Sequence, residues 1–296
     1  MKFGVAFSNA GPYAAPDLLM ALGHAAEGVG IESFWTIEHV VVPVGYNTEY
    51  PYSRSGRLPG TEALPIPDPL LPLAFLAATT SKLRLATGVL ILPQRHPTYV
   101  AKELATLDVL SRGRAILGVG IGWLKEEFEV LGIPFKERAA RTEESIRSIR
   151  SLWAEKPEPF EGRFYRWGAV ESNPKPVQPG GVPIIVGGHA DGAARRAARV
   201  GDGFFPGRGD EARLRELMGI LREECGRVGR DPDEIEVTSI LYSYDVGAVR
   251  RAEDLGVSRL VIGPPGLVES GSGRRADADA IRAEIERFGD TVLAKL

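Results

Sequence analysis

The 296-residue chain balances 36 Lys and Arg against 39 Asp and Glu, for a net charge of −3. No basic run interrupts it, so neither a nucleic-acid surface nor a patch for anionic lipid is indicated. Cys225 stands alone in the sequence, which rules out an intramolecular disulfide and agrees with a reducing cytoplasm. The opening "MKFGVAFSNA" is too brief an apolar run for a secretory leader. No apolar run approaches the roughly 18 residues of a membrane-spanning helix.

Residues 2–8, "KFGVAFS", read as a strand, and 16–30 as a helix that ends on glycine. "IESFWTI" (31–37) is a second strand. A long polar, proline-rich segment then covers 43–67, a length that in a compact domain is usually either functional or a mobile insertion. Asp68 and Pro69 open a helix over 68–80. The third strand is expected over 83–92 and an amphipathic helix over 97–111. "RAILGVGIG" (114–122) is the fourth strand and 138–155 its helix. Residues 158–181 suggest a hairpin and a proline-rich connection. Strands at 182–188, 202–207, 234–243 and 259–264 then alternate with helices at 190–201, 210–229, 245–257 and 277–296.

Eight apolar strands, each followed by a helix, imply a parallel sheet covered on both faces. In about 300 residues that pattern fits a single (β/α)₈ TIM barrel over 1–296, with insertions after strands 2 and 4. An open doubly wound sheet is the competing architecture. Its first turn should carry a Gly-rich fingerprint, whereas this one reads "SNAGPYAAP".

Chemistry in such a barrel gathers at the C-terminal strand ends. Strand 2 ends on Glu38 and His39, strand 3 near His96, and strand 5 near His189, whereas His24 falls inside the first helix. No His-x-His or His-x-x-x-His pair occurs, so no metal is assigned. No strand ends in the lysine that a Schiff base needs. "GVGIGW" (118–123) is either a tight turn or a place where a flat ligand nears the backbone. Gly187 and Gly188 precede a helix N-terminus, a setting that suits phosphate as well as a plain turn. An imidazole beside a carboxylate at the mouth is suited to proton transfer.

These segments resemble the luciferase-like monooxygenase superfamily, in particular its branch that uses the deazaflavin coenzyme F420. The resemblance is carried by "FWTIEHVVVP", "YPYSRSGRLPG", "PKPVQPGGVPIIVGG", "RRAARVGDGFFP" and the long block 83–132. It implies a barrel with the isoalloxazine-type ring in its mouth, usually a homodimer, and a strand-3 bulge with a non-prolyl cis peptide at Gly88–Val89. It further implies His39 as the proton handler and Glu38 as a contact to the ring or to His39, in place of a family aspartate. Val89 and Ile91 would back the ring. Ile121, Gly122 and Glu126 would contact the ring or its side chain, and Gly187, Gly188 and Ala190 would cradle the phosphate. The superfamily's sugar-phosphate dehydrogenases place a glutamate where this chain has Trp123, which argues against glucose-6-phosphate as substrate.

The expected activity is hydride transfer between coenzyme F420 and a small organic substrate, with Tyr46, Tyr50, Tyr52 and Arg54 on a loop that closes over it. An FMN-dependent monooxygenase and a non-catalytic flavin-binding barrel are the alternatives.

Overall fold

The computed structural model describes residues 1–53, 55–207, 211–265 and 277–296. The chain opens with β1 (Lys2–Val5) and α1 (Pro16–Val29). Proline occupies the first turn of α1, where no amide partner is needed, and Gly30 ends it at φ 86°. β2 (Ser33–Thr36), α2 (Leu70–Ala77) and β3 (Arg84–Thr87) follow. Next come β4 (Leu90–Ile91), α3 (Pro97–Ser111) and β5 (Ala115–Gly120). A short α4 (Lys125–Val130) precedes α5 (Arg138–Trp153) and the β6–β7 hairpin (Phe160–Glu161 with Arg166–Trp167). The second half contains β8 (Ile184–Gly187), α6 (Asp191–Val200), β9 (Gly203–Phe205) and α7 (Glu211–Val228). It closes with β10 (Glu236–Ile240), α8 (Val246–Asp254), β11 (Arg259–Ile262) and α9 (Ala278–Thr291).

The barrel strands pair in parallel in the order β3-β2-β1-β11-β10-β9-β8-β5, and β5 pairs back onto β3, with Leu85 opposite Ala115. The sheet is therefore a closed (β/α)₈ barrel. The third strand departs from the continuous run expected over 83–92. It breaks after Thr87, has a cis peptide at Gly88–Val89, and resumes as β4, which pairs with Val119 and Gly120 of β5. The Gly88 amide makes the last bond of the β2–β3 ladder, to the Thr36 carbonyl 2.6 Å away, and the break follows it.

Two apolar layers hold this frame. The larger lies between sheet and helices and includes Leu22, Phe34, Leu73, Leu104, Ile149, Leu221 and Phe288, all fully buried. The smaller fills the barrel with Ala6, Trp35, Ala86, Ile116, Ile185, Phe205 and Val261. Trp35 and Phe205 meet edge to face at 5.6 Å, just below the mouth. The opposite end is plugged by Arg259, which is fully buried, lies under the Trp35 ring and pairs with Glu32 and Glu236. Burying that guanidinium is tolerable because its donors meet two carboxylates and Thr238. With its floor plugged, the barrel is open to chemistry at its C-terminal end.

Cys225 is buried on the inward face of α7 and packs as a small apolar residue. No helix among the described residues is long and apolar enough to cross a membrane.

Candidate active site

His39 follows β2 at the barrel mouth, as its position after strand 2 predicts. Its carboxylate partner is not the adjacent Glu38. His39 Nδ1 lies 3.0 Å from Oε2 of Glu127, and both side chains are almost completely buried. Because a carboxylate can only accept, Nδ1 is the donor and Nε2 is the ring nitrogen left for chemistry. The other Glu127 oxygen accepts from the amides of Val40 and Val41, at 2.7 and 3.3 Å. Three consecutive positions after β2 are thus locked to one carboxylate of α4, and the imidazole cannot swing away.

Glu38 turns in the opposite direction. It accepts from the Ile91 amide and from Nε of Arg95 at 2.7 Å, and Arg95 also pairs with Asp68. Burial pushes its carboxyl up from the usual range, while the Arg95 charge and the Ile91 amide oppose that. The expectation that Glu38 orients His39 is corrected accordingly. Glu38 instead pins β4 to the end of β2, because an extended strand sends neighbouring side chains to opposite faces.

Glu127 was not among the residues singled out from the sequence, although the chain carries a signal for it. Leu124, Phe128 and Leu131 repeat at helical spacing, and Glu127 falls among them on the same face. A carboxylate on an apolar face has to find a partner. Leu124 and Phe128 are indeed fully buried.

Glu126, its neighbour on α4, points outward and captures the loop. It accepts from the amides of Asn47 and Thr48 at 2.7 and 3.1 Å and from the Thr48 hydroxyl at 2.6 Å. Desolvation pushes its carboxyl up, but these donors outweigh that and bring it down to about 2. Its carboxylate is therefore engaged by the loop, and the expected contact to a cofactor ring is a further role that these bonds do not supply.

The loop that Glu126 holds carries aromatic rings across the mouth. Trp123, just past β5, meets His39 at 5.7 Å, Tyr46 at 5.5 Å and Tyr50 at 5.0 Å between ring centroids. Tyr50 meets Tyr52 at 5.4 Å, and Tyr52 meets His189, past β8, at 4.7 Å. Arg57 lies over the Tyr46 ring and donates to the Tyr46 carbonyl. Arg54 lies outside the described residues.

Val89 and Ile91 flank the bulge. A Cβ added at Gly120 or Gly187 would come within 2.5 or 2.6 Å of the Val89 side chain, so both glycines exist to admit Val89. Gly122 turns the chain at φ 77°, with Ile121 before it and Arg138 Nε on its carbonyl at 3.3 Å. The glycine signal in "GVGIGW" and "VGGHAD" is thus explained first by packing, which periodicity could not reveal. His96 is a helix cap, with Nδ1 2.8 Å from the Thr98 hydroxyl, and His24 is exposed on α1.

A phosphate-bearing cofactor needs free donors. The Gly188 amide is already committed to the Phe205 carbonyl at 3.0 Å. Of the cradle expected at Gly187, Gly188 and Ala190, the Gly188 amide is therefore not a free donor. Among the described residues the amides of Ala190 and Gly192 donate to no backbone carbonyl, and they open the first turn of α6, where the Asp191 amide is turned to its own carboxylate. Asp191 is neutralised there by Arg213 at 2.7 Å. Open amides at the positive end of a helix fit a phosphate.

The architecture is a closed (β/α)₈ barrel with a buried imidazole–carboxylate pair at its mouth. Residues 1–263 match the family model described as luciferase-like monooxygenase, and the chain belongs to that family. It is 36% identical over 278 residues to an uncharacterised protein of Mycobacterium tuberculosis, covering 93% of this chain and 94% of that one. It is 33% identical over 248 residues to the F420-dependent glucose-6-phosphate dehydrogenase of Kineococcus radiotolerans, covering 81% of this chain and 68% of that one. The fold superposes on the coenzyme F420 dependent tetrahydromethanopterin reductase of Methanopyrus kandleri with a TM-score of 0.74, at 19% identity, over 99% of both chains.

Proposed function

We propose that the chain is an oxidoreductase that uses coenzyme F420 to move a hydride to or from a small organic substrate. The observation that carries this reading is the His39–Glu127 pair at the mouth of a luciferase-like barrel. It is supported by a relative 33% identical over most of this chain whose name carries F420 dependence.

When bound, the deazaflavin supplies two-electron hydride chemistry, and the protein supplies position, exclusion of water and a proton. Val89 and Ile91 would back the ring, Ile121 and Gly122 would border it, and the open amides from Ala190 onward would hold the phosphate. Glu38 would act on the ring only through the β4 backbone it fixes. His39 would exchange the proton at Nε2, with Glu127 holding Nδ1–H and the ring plane.

An FMN-dependent monooxygenase of the same fold is the second reading, favoured by the family's own description. Separate titrations with coenzyme F420 and FMN decide between them. Quenching by coenzyme F420 at micromolar concentration without FMN binding is the expected result. Tight FMN binding with no response to coenzyme F420 would overturn the first reading.

A further inference from the structure

Two consecutive carboxylates on one short helix hold two stretches of one loop. Glu126 and Glu127 both lie in the first turn of α4, where the positive helix end favours them. Neighbouring helix positions point about 100° apart, so the pair reaches in two directions from a single turn. Glu127 takes Nδ1 of His39 and the amides of Val40 and Val41. Glu126 takes the amides of Asn47 and Thr48 and the Thr48 hydroxyl.

Only residues 42–46 separate the two sets of bonds. Among the described residues, 39–49 neither give nor accept a backbone–backbone hydrogen bond. Val44 is 92% exposed, and Gly45 turns the chain at φ 69°. Tyr46 is the one buried residue of the stretch. It bonds to Arg57 and Leu58 of the same loop, and its ring lies against Trp123, two positions before α4. The other neighbour of the Trp123 ring is the His39 imidazole itself.

Two attachments joined by so short a chain support each other, because either one keeps the other's partners close. Residues 39–41 are bracketed by β2 before them and by the Glu126 clasp after them. With the downstream clasp released, only the Glu127 bonds keep them in place, and the chain beyond is free to pull them off. His39 would then leave its carboxylate, and Trp123 would lose a ring on each side.

We propose that Glu126 is a positioning residue for His39: by clasping Asn47 and Thr48 to the outer side of α4, it keeps residues 39–41 seated on Glu127 and the imidazole against Trp123. Closure of the loop and the setting of Nδ1–H are then one event. What this means for turnover rests on the reading of His39 as the proton exchanger, whereas the clasp itself stands without it.

Amide exchange followed residue by residue by NMR tests this on the protein alone. Glu126→Ala removes every acceptor, Glu126→Gln keeps an oxygen for the two amides, and Thr48→Val removes the hydroxyl without touching α4. In Glu126→Ala, exchange should quicken at Asn47 and Thr48. It should also quicken, by about 5-fold or more, at Val40 and Val41, which bond to Glu127 and not to Glu126. Thr48→Val should give a smaller change of the same kind, and Glu126→Gln should restore most of the protection. Peptide mapping should show His39 reacting faster with diethyl pyrocarbonate in Glu126→Ala. Circular dichroism checks that each variant folds, and Thr48→Val carries the same comparison if Glu126→Ala does not. Exchange that quickens at Asn47 and Thr48 while Val40, Val41 and His39 behave as in the parent overturns the proposal, and so does unchanged exchange at all four amides. Failure of the redox reading shows separately, as absence of coenzyme F420 binding, which these measurements do not use.

Discussion

Nδ1 of His39 rests 3.0 Å from a carboxylate that lies 88 positions further along the chain, on Glu127, while the carboxylate next to it in sequence turns away. This pairing fixes which ring nitrogen faces the mouth, and therefore which one exchanges a proton. Replacing Glu127 by Gln keeps an oxygen for the Val40 amide but presents an NH₂ to Nδ1. The imidazole should then carry its proton on Nε2, the wrong tautomer for a base. Turnover should fall by roughly 10²-fold or more with cofactor affinity unchanged. Nitrogen NMR of the labelled histidine reads the tautomer directly, and an unchanged spectrum would refute the assignment. His39→Ala should lose a similar factor and regain part of it when free imidazole is added.

Glu38 predicts the opposite pattern. Its carboxylate ties the Ile91 amide and Arg95 together inside the protein, with 4% of the residue exposed. Glu38→Ala should cost about 3 kcal/mol in stability, the lower end for a broken buried pair, because Arg95 keeps Asp68. Urea unfolding measures this. A variant as stable as the parent but inactive would return Glu38 to the chemistry.

Glu126 gives a pH prediction with a definite sign. Its folded carboxyl sits at about 2, below the ordinary 4.5. A depressed carboxylate stabilises the state that binds it, fully above the unfolded value, and that contribution is lost as pH falls through the folded one. The anchor on Asn47 and Thr48 should therefore be intact from neutral pH down to about 4.5 and weaken progressively towards 2. Glu126→Ala should free the loop already at neutral pH. Faster proteolysis within 43–58, with the rest of the chain resistant, is the expected readout.

Helix α2 is apolar on every side, yet Leu71 is 71% exposed and Phe75 45% exposed. The neighbouring α3 exposes Tyr99 and Leu110. A helix that is hydrophobic all round is normally buried, and a second copy of the chain is the occupant that the family resemblance implies. Sedimentation equilibrium is expected to give a dimer, and Leu71→Glu with Phe75→Glu a monomer. A monomeric parent protein would remove the expectation.

The barrel itself was legible from the chain. Alternating apolar runs and amphipathic segments, bounded by Gly and Pro, are local patterns, and they placed helix α3 at its observed limits and each barrel strand within a few residues. They also placed His39 at a strand end, because strand ends follow from strand position. The broken third strand was not visible in that pattern. An apolar run reads the same whether it is straight or bulged, so the expected Gly88–Val89 feature came from resemblance alone.

What the sequence by itself determined is the eightfold rhythm, the mouth as the place of chemistry and the candidacy of His39. The tertiary structure decided how the carboxylates divide: Glu38 to Arg95 and the backbone, Glu127 to His39, Glu126 to the loop. It also assembled the ring array from segments as distant as Tyr52 and His189. The physical reason is range. Hydrophobic periodicity is written in neighbouring residues, whereas the partner of a buried charge is chosen by which strands and loops close the barrel around it.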